Sequence, residues 1–185
     1  MPTYTAFLHN ARIASGSLDQ VLPVLKTCFD GNPGDLVLIF EDDTGRQVDF
    51  DLRGPLSEVL GRALPAGASR TGPGRPKLGV VSREISLLPR HWDWLEQQPN
   101  GASAALRRLV DEARNRNPEG QRMRQATAAV GRVLSAMGGN LPGYEEASRA
   151  LYAGDRARFE ELIRGWPKDL QGYLLSRLSV ASAAA

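Results

Sequence analysis

A linker rich in small and helix-breaking residues interrupts the chain and limits how its 185 residues can fold. Residues 65–73, together with Gly74, consist mainly of glycine, proline, alanine and serine. Such a composition favours a flexible, exposed segment over a helix or a strand. The linker is therefore the best domain boundary in the chain. The total length suits one domain or two small ones, since domains commonly span about 100–200 residues.

The section before this linker, residues 1–64, is predicted to be α+β. Residues 4–8 and 11–14 have the composition of two short strands joined by a tight turn. Ser17 and Gln20 have the spacing of a capping box, in which each side chain bonds a backbone amide near the other residue. An amphipathic helix is therefore expected to begin after Ser17.

A second hairpin gives the strongest strand signal in the sequence. Residues 36–40 are apolar throughout, and residues 46–52 alternate polar and apolar side chains. Gly45 lies between them and can take the positive φ that a tight turn requires. Residues 56–64 are expected to form a short helix after the second strand.

Five acidic residues surround this second hairpin and raise the question of a cation site. They are Glu41, Asp42, Asp43, Asp49 and Asp51. Asp49 and Asp51 occupy alternate positions, as the exposed face of a strand does. A solvated acidic face is therefore favoured over a metal site.

The last section, residues 118–185, is predicted to be all helical. Its apolar residues recur at helical spacing, and breaks that contain glycine separate the segments. The expected helices span residues 121–137, 144–153, 156–163 and 167–178.

Positive charge is concentrated in the middle of the chain, although the net charge is only +2. Residues 1–69 have a net charge of −4, residues 70–125 one of +5, and residues 126–185 one of +1. Clustered arginine is typical of proteins that bind polyanions such as nucleic acids. A solvated basic face is the alternative, and the charge excess alone does not decide between the two.

Residues 74–117 predict a short strand followed by two helices. Residues 84–88 are the strand candidate, and Pro89 ends it because proline lacks the amide that a ladder requires. Proline is also common in the first turn of a helix, here residues 90–97. A break that contains proline and glycine then precedes a second helix, with Ser103 as its predicted N-cap.

The second helix has a predicted buried stripe. The stripe consists of Leu106, Leu109, Val110 and Ala113. Arg107, Arg108 and Arg114 fall largely outside it. The helix is therefore expected to pack on one side and to carry its positive charge elsewhere.

This unit resembles the ribbon-helix-helix family of bacterial repressors and antitoxins. One matching feature is the strand that runs into Leu88 and Pro89. A second is the turn at residues 101–103 before Leu106 and Arg107. The resemblance implies that two chains pair their strands into an antiparallel ribbon, which fits the major groove of DNA. It also implies that the start of the second helix presents its amides to a phosphate.

Alternate side chains of such a ribbon have different roles. Ile85 and Leu87 are expected to face the protein core. Glu84, Ser86 and Leu88 are then expected to face the groove. A shift of one residue would exchange the two faces.

A short arm precedes the unit and adds a second hint of DNA binding. The Gly-Arg-Pro sequence at residues 74–76, followed by Lys77, resembles an AT-hook, in which an arginine lies in a narrow A·T minor groove. An incidental match is the alternative. The residues predicted to contact DNA are Arg75, Lys77, Arg83, Ser86, Arg90, Ser103 and Arg107.

The whole chain is also similar to an uncharacterised bacterial family, domain-of-unknown-function family 2239. The sequence segments that carry the similarity are residues 44–54, 74–114 and 144–151. The similarity implies a bacterial origin and no known activity. The predicted fold class is thus α+β, with a small N-terminal αβ section, a central ribbon-helix-helix-like unit and a helical C-terminal section.

The sequence contains no pattern of catalytic residues. It has no phosphate-binding loop, no nucleotide fingerprint and no pairing of a nucleophile with a base. One cysteine, Cys28, and two histidines, His9 and His91, supply neither a disulfide nor a zinc site. We therefore expect no catalytic residues, no metal and no cofactor, and an enzyme is the least favoured interpretation.

Two functions remain open at this point. The first is a homodimer that binds duplex DNA, such as a transcriptional regulator. The second is a non-enzymatic interaction or adaptor protein that uses the ribbon-helix-helix-like unit only to dimerise. A cytoplasmic location is expected for either, because no apolar run approaches the roughly 18–20 residues of a membrane span and the start of the chain lacks the pattern of a secretory signal.

Overall fold

The computed structural model describes residues 2–32, 34–64 and 81–183, without the side chains of residues 181–183. The predicted linker at residues 65–73 and the arm that follows it lie outside these ranges.

The described residues form two compact units. The first, which we call the sheet unit, comprises the described residues up to 64 and those from Arg122 onward. The second, which we call the helix-pair unit, comprises residues 81–121.

The sheet unit is built on four antiparallel strands in the order β2–β1–β3–β4. They are β1 (Tyr4–Leu8), β2 (Ala11–Gly16), β3 (Val37–Glu41) and β4 (Arg46–Gln47). β1 pairs with β2 on one side, with a bulge between Ala6 and Phe7, and with β3 on the other. The first predicted hairpin is confirmed, and β1 is a central strand.

Helices make up most of the remaining described chain. They are α1 (Leu18–Gly31), α2 (Leu56–Ala63), α3 (Pro89–Glu96), α4 (Gly101–Arg116), α5 (Pro118–Gly138), α6 (Tyr144–Ala153), α7 (Arg156–Leu162) and α8 (Lys168–Ala183). This architecture confirms the predicted α+β fold class. The predicted C-terminal helices are all present, and α8 continues beyond the predicted end at residue 178.

One face of the sheet packs against α1 and α2. Ala6 and Ile39 are buried on this face, one from each central strand. Opposite them lie Val21, Leu22 and Leu25 of α1 and Val59 of α2. The capping box at the start of α1 is also confirmed, since the amide of Ser17 donates to Oε1 of Gln20 at 3.1 Å.

The opposite face of the sheet packs against the C-terminal helices. It carries Phe7 and Phe40, which are next in sequence to the buried residues of the first face. Successive side chains of a strand point to opposite faces, so each central strand contributes to both cores. The second core contains Val130 of α5, Leu151 of α6, Phe159 of α7 and Leu174 of α8.

The apolar run at residues 36–40 explains why the sheet has two covered faces. A strand with one solvated face alternates polar and apolar residues, whereas a strand covered on both sides is apolar throughout. β3 is of the second kind and needs two covering layers. Residues 1–64 and the helices after Arg122, treated as separate sections from sequence, therefore share one core.

The second predicted hairpin is present, but its second strand is shorter than predicted. β4 contains only Arg46 and Gln47, and the last bond runs from the amide of Val48 to the carbonyl of Ile39 at 2.9 Å. Residues 48–52 nevertheless keep the predicted alternation, with the apolar side chains half-buried and the aspartates exposed. Those apolar side chains pack against the α1–α2 core, so packing replaces strand pairing here.

Gly45 closes this hairpin and has the positive φ predicted for it, 64°. A Cβ atom at this position would lie 2.0 Å from the carbonyl oxygen of Ala129 on α5. Arg132 of the same helix donates to the carbonyl of Thr44. The turn is therefore fixed against α5.

Candidate functional site

The helix-pair unit contains the segment predicted to bind DNA. α3 has Pro89 in its first turn, as predicted. α4 begins at Gly101, so the prediction that Ser103 is the N-cap was wrong. Asn100 is the cap residue and takes a left-handed conformation with φ 68°. Asparagine and glycine adopt such conformations readily, so the turn starts α4 two residues before Ser103.

α3 covers only part of α4. Leu95 of α3 and Ala105 of α4 are buried, whereas Leu109 and Val110 are exposed. The predicted buried stripe on α4 was therefore wrong for its C-terminal part. At about 1.5 Å per residue, α3 is about 12 Å long and α4 about 24 Å, so α3 is too short to cover the whole stripe.

An apolar groove lies between the two helices and the segment that precedes them. Its cavity volume is about 270 Å³, and we call it the α3–α4 groove. The lining residues are Leu87, His91, Trp94, Leu95, Leu106 and Leu109. Leu87 lines this groove and is half-buried.

Residues 81–88 precede α3 and lie outside any helix or strand. The prediction of a strand at residues 84–88 was therefore wrong for the single chain, because no neighbouring strand of this unit pairs with the segment. Ile85, predicted to face the core, is about half exposed, and so is Leu88. Val81 is 72% exposed. This segment presents several apolar side chains without a cover.

The polar residues predicted to contact DNA are accessible where they are described. Arg83, Ser86, Arg90, Ser103 and Arg107 are all exposed members of the helix-pair unit. Among the described residues, no ion pair involves any of these three arginines. Arg75 and Lys77 lie outside the described residues.

The described helix-pair unit is electrically neutral. Residues 81–121 contain six arginines and six acidic residues. Arg108 is paired within the unit, since it lies 3.8 Å from Glu112. The positive excess of the middle section therefore comes from residues 70–80 and from Arg122 and Arg124.

A second candidate site lies in the sheet unit and centres on Asp42. This carboxylate is only 4% exposed. It accepts hydrogen bonds from the hydroxyl of Thr5 at 2.8 Å and from the hydroxyl of Tyr173 at 3.1 Å. Burial, together with the nearby charge of Asp42, raises the pKa of Tyr173 well above its ordinary value.

Arg177 of α8 lies between two carboxylates at the edge of this network. Its guanidinium is 3.8 Å from Asp42 and 3.7 Å from Asp43, distances too long for hydrogen bonds. The side chain of Asp43 is 73% exposed, in contrast to that of Asp42. Arg177 is thus shared loosely between a buried acid and an exposed one.

A cavity of about 340 Å³ opens beside these residues, and we call it the polar cavity. It is lined by Asp42, Asp43, Arg122, Gln125, Ala126, Ala129, Arg177 and Val180. Nε of Arg122 is buried, and it has no hydrogen-bond partner among the described residues. The cavity therefore combines two arginines and two aspartates with a small apolar wall.

The family model described as an uncharacterized protein conserved in bacteria matches residues 3–178. The chain belongs to the bacterial family DUF2239. The whole-chain similarity predicted from the sequence is thereby confirmed. Searches of curated proteins and of solved structures found no significant match.

The DUF2239 match covers the helix pair and all lining residues of the polar cavity except Val180. The family description assigns no activity to either of them. Across residues 2–32, 34–64 and 81–183 of this DUF2239 chain, no helix is both long enough and apolar enough to cross a membrane.

The acidic residues around the second hairpin of the DUF2239 chain divide into two kinds. Asp49 and Asp51 are exposed, as predicted, and the hydrogen bond from Arg53 lowers the pKa of Asp51 to about 2. Asp42 departs from the prediction because it is buried. Within the described ranges, no group of three or more histidine, cysteine or acidic residues is arranged to hold a metal.

A sequence signal for Asp42 was available. Asp42 follows the buried Phe40 by two positions, so the period of a strand puts both side chains on the face that meets the C-terminal helices. Nothing local marks Arg122 or Arg177, because the polar cavity forms only when α5 and α8 pack beside the hairpin.

Proposed function

We propose that this protein is a homodimer that binds duplex DNA. The helix-pair unit forms the dimer contact, and the basic arm with Arg75 and Lys77 provides the main attraction for DNA. The observation that carries the proposal is an uncovered apolar segment, residues 81–88, beside the α3–α4 groove. A transcriptional regulator is the role that suits such a protein best.

The apolar side chains of the helix-pair unit support self-association. Six large apolar residues of this small unit are exposed: Val81, Ile85, Leu88, Trp94, Leu109 and Val110. Burial of apolar surface contributes about 25 cal/mol per Å², so leaving this set in water is unfavourable. A second copy of the same unit would cover it without requiring any other partner.

The geometry of the segment favours a symmetric pair. Residues 81–88 are free to pair with another chain, since they belong to neither a helix nor a strand. Antiparallel pairing of two identical segments produces a two-fold contact in which each chain presents the same residues. The neutral charge of residues 81–121 means that two copies do not repel each other strongly.

Attraction to DNA comes mainly from the arm and from exposed arginines. Residues 70–80 contain three basic residues and no acidic one, and a dimer doubles that number. Arg90 in the first turn of α3 and Arg107 near the middle of α4 add exposed charge. The amides in the first turn of α4, which begins at Gly101 rather than Ser103, are suited to a phosphate contact.

The dimer is tested by sedimentation equilibrium on the full chain. Leu109→Glu places a charge in the α3–α4 groove and is expected to give a monomer with unchanged helix content by circular dichroism. Leu36→Glu is the matched control, because Leu36 is an exposed leucine of the sheet unit. The control variant should remain a dimer. A monomeric wild-type protein would exclude the proposed pairing.

DNA binding is tested by fluorescence anisotropy with a labelled A·T-rich duplex and a labelled G·C-rich duplex. The double variant R75Q/K77Q is expected to bind both much more weakly than the wild type. R164Q/K168Q removes the same charge from exposed positions of the sheet unit and should bind almost as the wild type does. A stable dimer with no affinity for either duplex would leave the alternative function, dimerisation for protein interaction.

A further inference from the structure

We propose that the polar cavity of the sheet unit binds a small molecule through a carboxylate or phosphate group held by Arg122. The cavity volume of about 340 Å³ is at the lower end of the roughly 300–1,000 Å³ found for small-molecule sites. All of its lining residues belong to the sheet unit, so this site is independent of the helix pair and of DNA binding.

The first argument is the state of Arg122. Its Nε atom is the one buried side-chain nitrogen or oxygen in the described ranges that has no hydrogen-bond partner. Leaving a buried donor of a charged group unpaired costs free energy, and such groups are normally satisfied. Nε and a terminal nitrogen of a guanidinium form a fork that matches the two oxygens of a carboxylate or phosphate.

The second argument is that the acidic groups of the cavity already have partners. Asp42 accepts from Thr5 and Tyr173, and Arg177 lies near both Asp42 and Asp43. Arg122 forms no ion pair within the described part of the chain. Its positive charge is therefore not neutralised by an acidic side chain of the described residues.

The remaining walls indicate what else the ligand carries. Ala126, Ala129 and Val180 give the cavity a small apolar side, which suits a short carbon chain. Gln125 can hydrogen-bond a polar group on the ligand. Asp43 also lines the cavity, and its negative charge disfavours a ligand with several negative charges. A small organic acid with one carboxylate is therefore a better match than a phosphate monoester, which carries close to two negative charges near pH 7.

The test is isothermal titration calorimetry of the full chain with two probes, inorganic phosphate and butyrate. Binding of butyrate alone would identify the ligand class as carboxylates, and binding of phosphate alone would identify it as phosphates. Arg122→Gln is expected to lower the affinity for whichever probe binds by at least about tenfold, as the loss of a charge-assisted pair implies. Arg124→Gln is the matched control, two residues along α5 and exposed, and it should bind as the wild type does.

Two further variants make the test decisive. Arg122→Lys keeps the positive charge but loses Nε, so it should also bind more weakly if the anion is held by the fork. If circular dichroism shows that Arg122→Gln does not fold, probe binding by Arg122→Lys tests the proposal instead. R75Q/K77Q removes the charge of the arm and should leave probe binding unchanged. No binding of either probe by the wild type, or equal binding by the wild type and both Arg122 variants, would overturn the proposal.

Discussion

Tyr173 donates a hydrogen bond to Asp42 at 3.1 Å, joining the last helix to the end of β3 across 131 residues of sequence. Thr5 of β1 donates to the same carboxylate oxygen at 2.8 Å. The contact therefore links the first strand, the third strand and the last helix at one buried point. It sets the position of α8 on the sheet, and with it one wall of the polar cavity.

Replacing Asp42 should destabilise the sheet unit strongly. Asp42→Ala leaves the hydroxyls of Thr5 and Tyr173 without their acceptor and Arg177 without its buried partner. Breaking a buried charged network in this way costs about 3–5 kcal/mol. Asp43→Ala removes the exposed acid beside the same arginine and should change stability by no more than about 0.5 kcal/mol. Urea unfolding measures both, and equal losses in the two variants would contradict the account.

The stability of the protein should fall at alkaline pH because of Tyr173. Its raised pKa means that the folded state keeps the phenol neutral, while the unfolded chain ionises it near pH 10. The stabilising contribution is therefore fully present below about pH 10 and is lost as the pH rises further, by at most about 1.4 kcal/mol per pH unit. Thermal unfolding of the wild type and of Tyr173→Phe measures this, since the other tyrosines are common to both proteins. Parallel pH profiles would rule out the contribution of Tyr173.

Gly45 should tolerate no side chain. Alanine would have to adopt a φ of 64° and would place its Cβ 2.0 Å from the carbonyl oxygen of Ala129. Gly45→Ala is expected to cost more than about 1 kcal/mol in the free energy of unfolding. Gly172→Ala, in α8 with no atom near the added Cβ, should instead stabilise the protein by about 0.5–1 kcal/mol. Opposite signs in the two variants, measured by urea unfolding, are the expected result.

Local patterns predicted most of the secondary structure. The Ser17–Gln20 spacing located the start of α1, and the positive φ expected of Gly45 is present. The alternation at residues 48–52 correctly predicted which side chains are half-buried and which are exposed, although the strand ladder ends at Gln47. Alternation reports which face is buried, whereas ladder length depends on whether the segment stays beside its partner. The burial pattern is set by the local sequence, whereas the length of the ladder is set by tertiary structure.

The start of α4 shows how a turn can override a favourable capping residue. Ser103 is a good N-cap by type, but Asn100 and Gly101 both take left-handed conformations and begin the helix earlier. The burial of α4 was also mispredicted, because periodicity identifies an apolar stripe without identifying what covers it. No part of the described single chain covers Leu109 or Val110.

The polar cavity could not be predicted from sequence. Asp42, Arg122 and Arg177 belong to three elements that meet only after the sheet and the C-terminal helices have packed together. Arg122 and Arg177 each have an ordinary local explanation as a surface charge. Their shared environment is a product of tertiary structure, and only Asp42 carries a local signal, its position two residues after Phe40.

The most direct test of the proposed function is the affinity of the full chain for duplex DNA as a function of salt concentration. Each phosphate that is neutralised contributes about −0.9 to the slope of log affinity against log salt. Arg75 and Lys77 of two chains supply four contacts, so a slope of about −3.6 or steeper is expected. A dimer that binds no duplex at low salt, or whose affinity does not change with salt, would contradict the proposal.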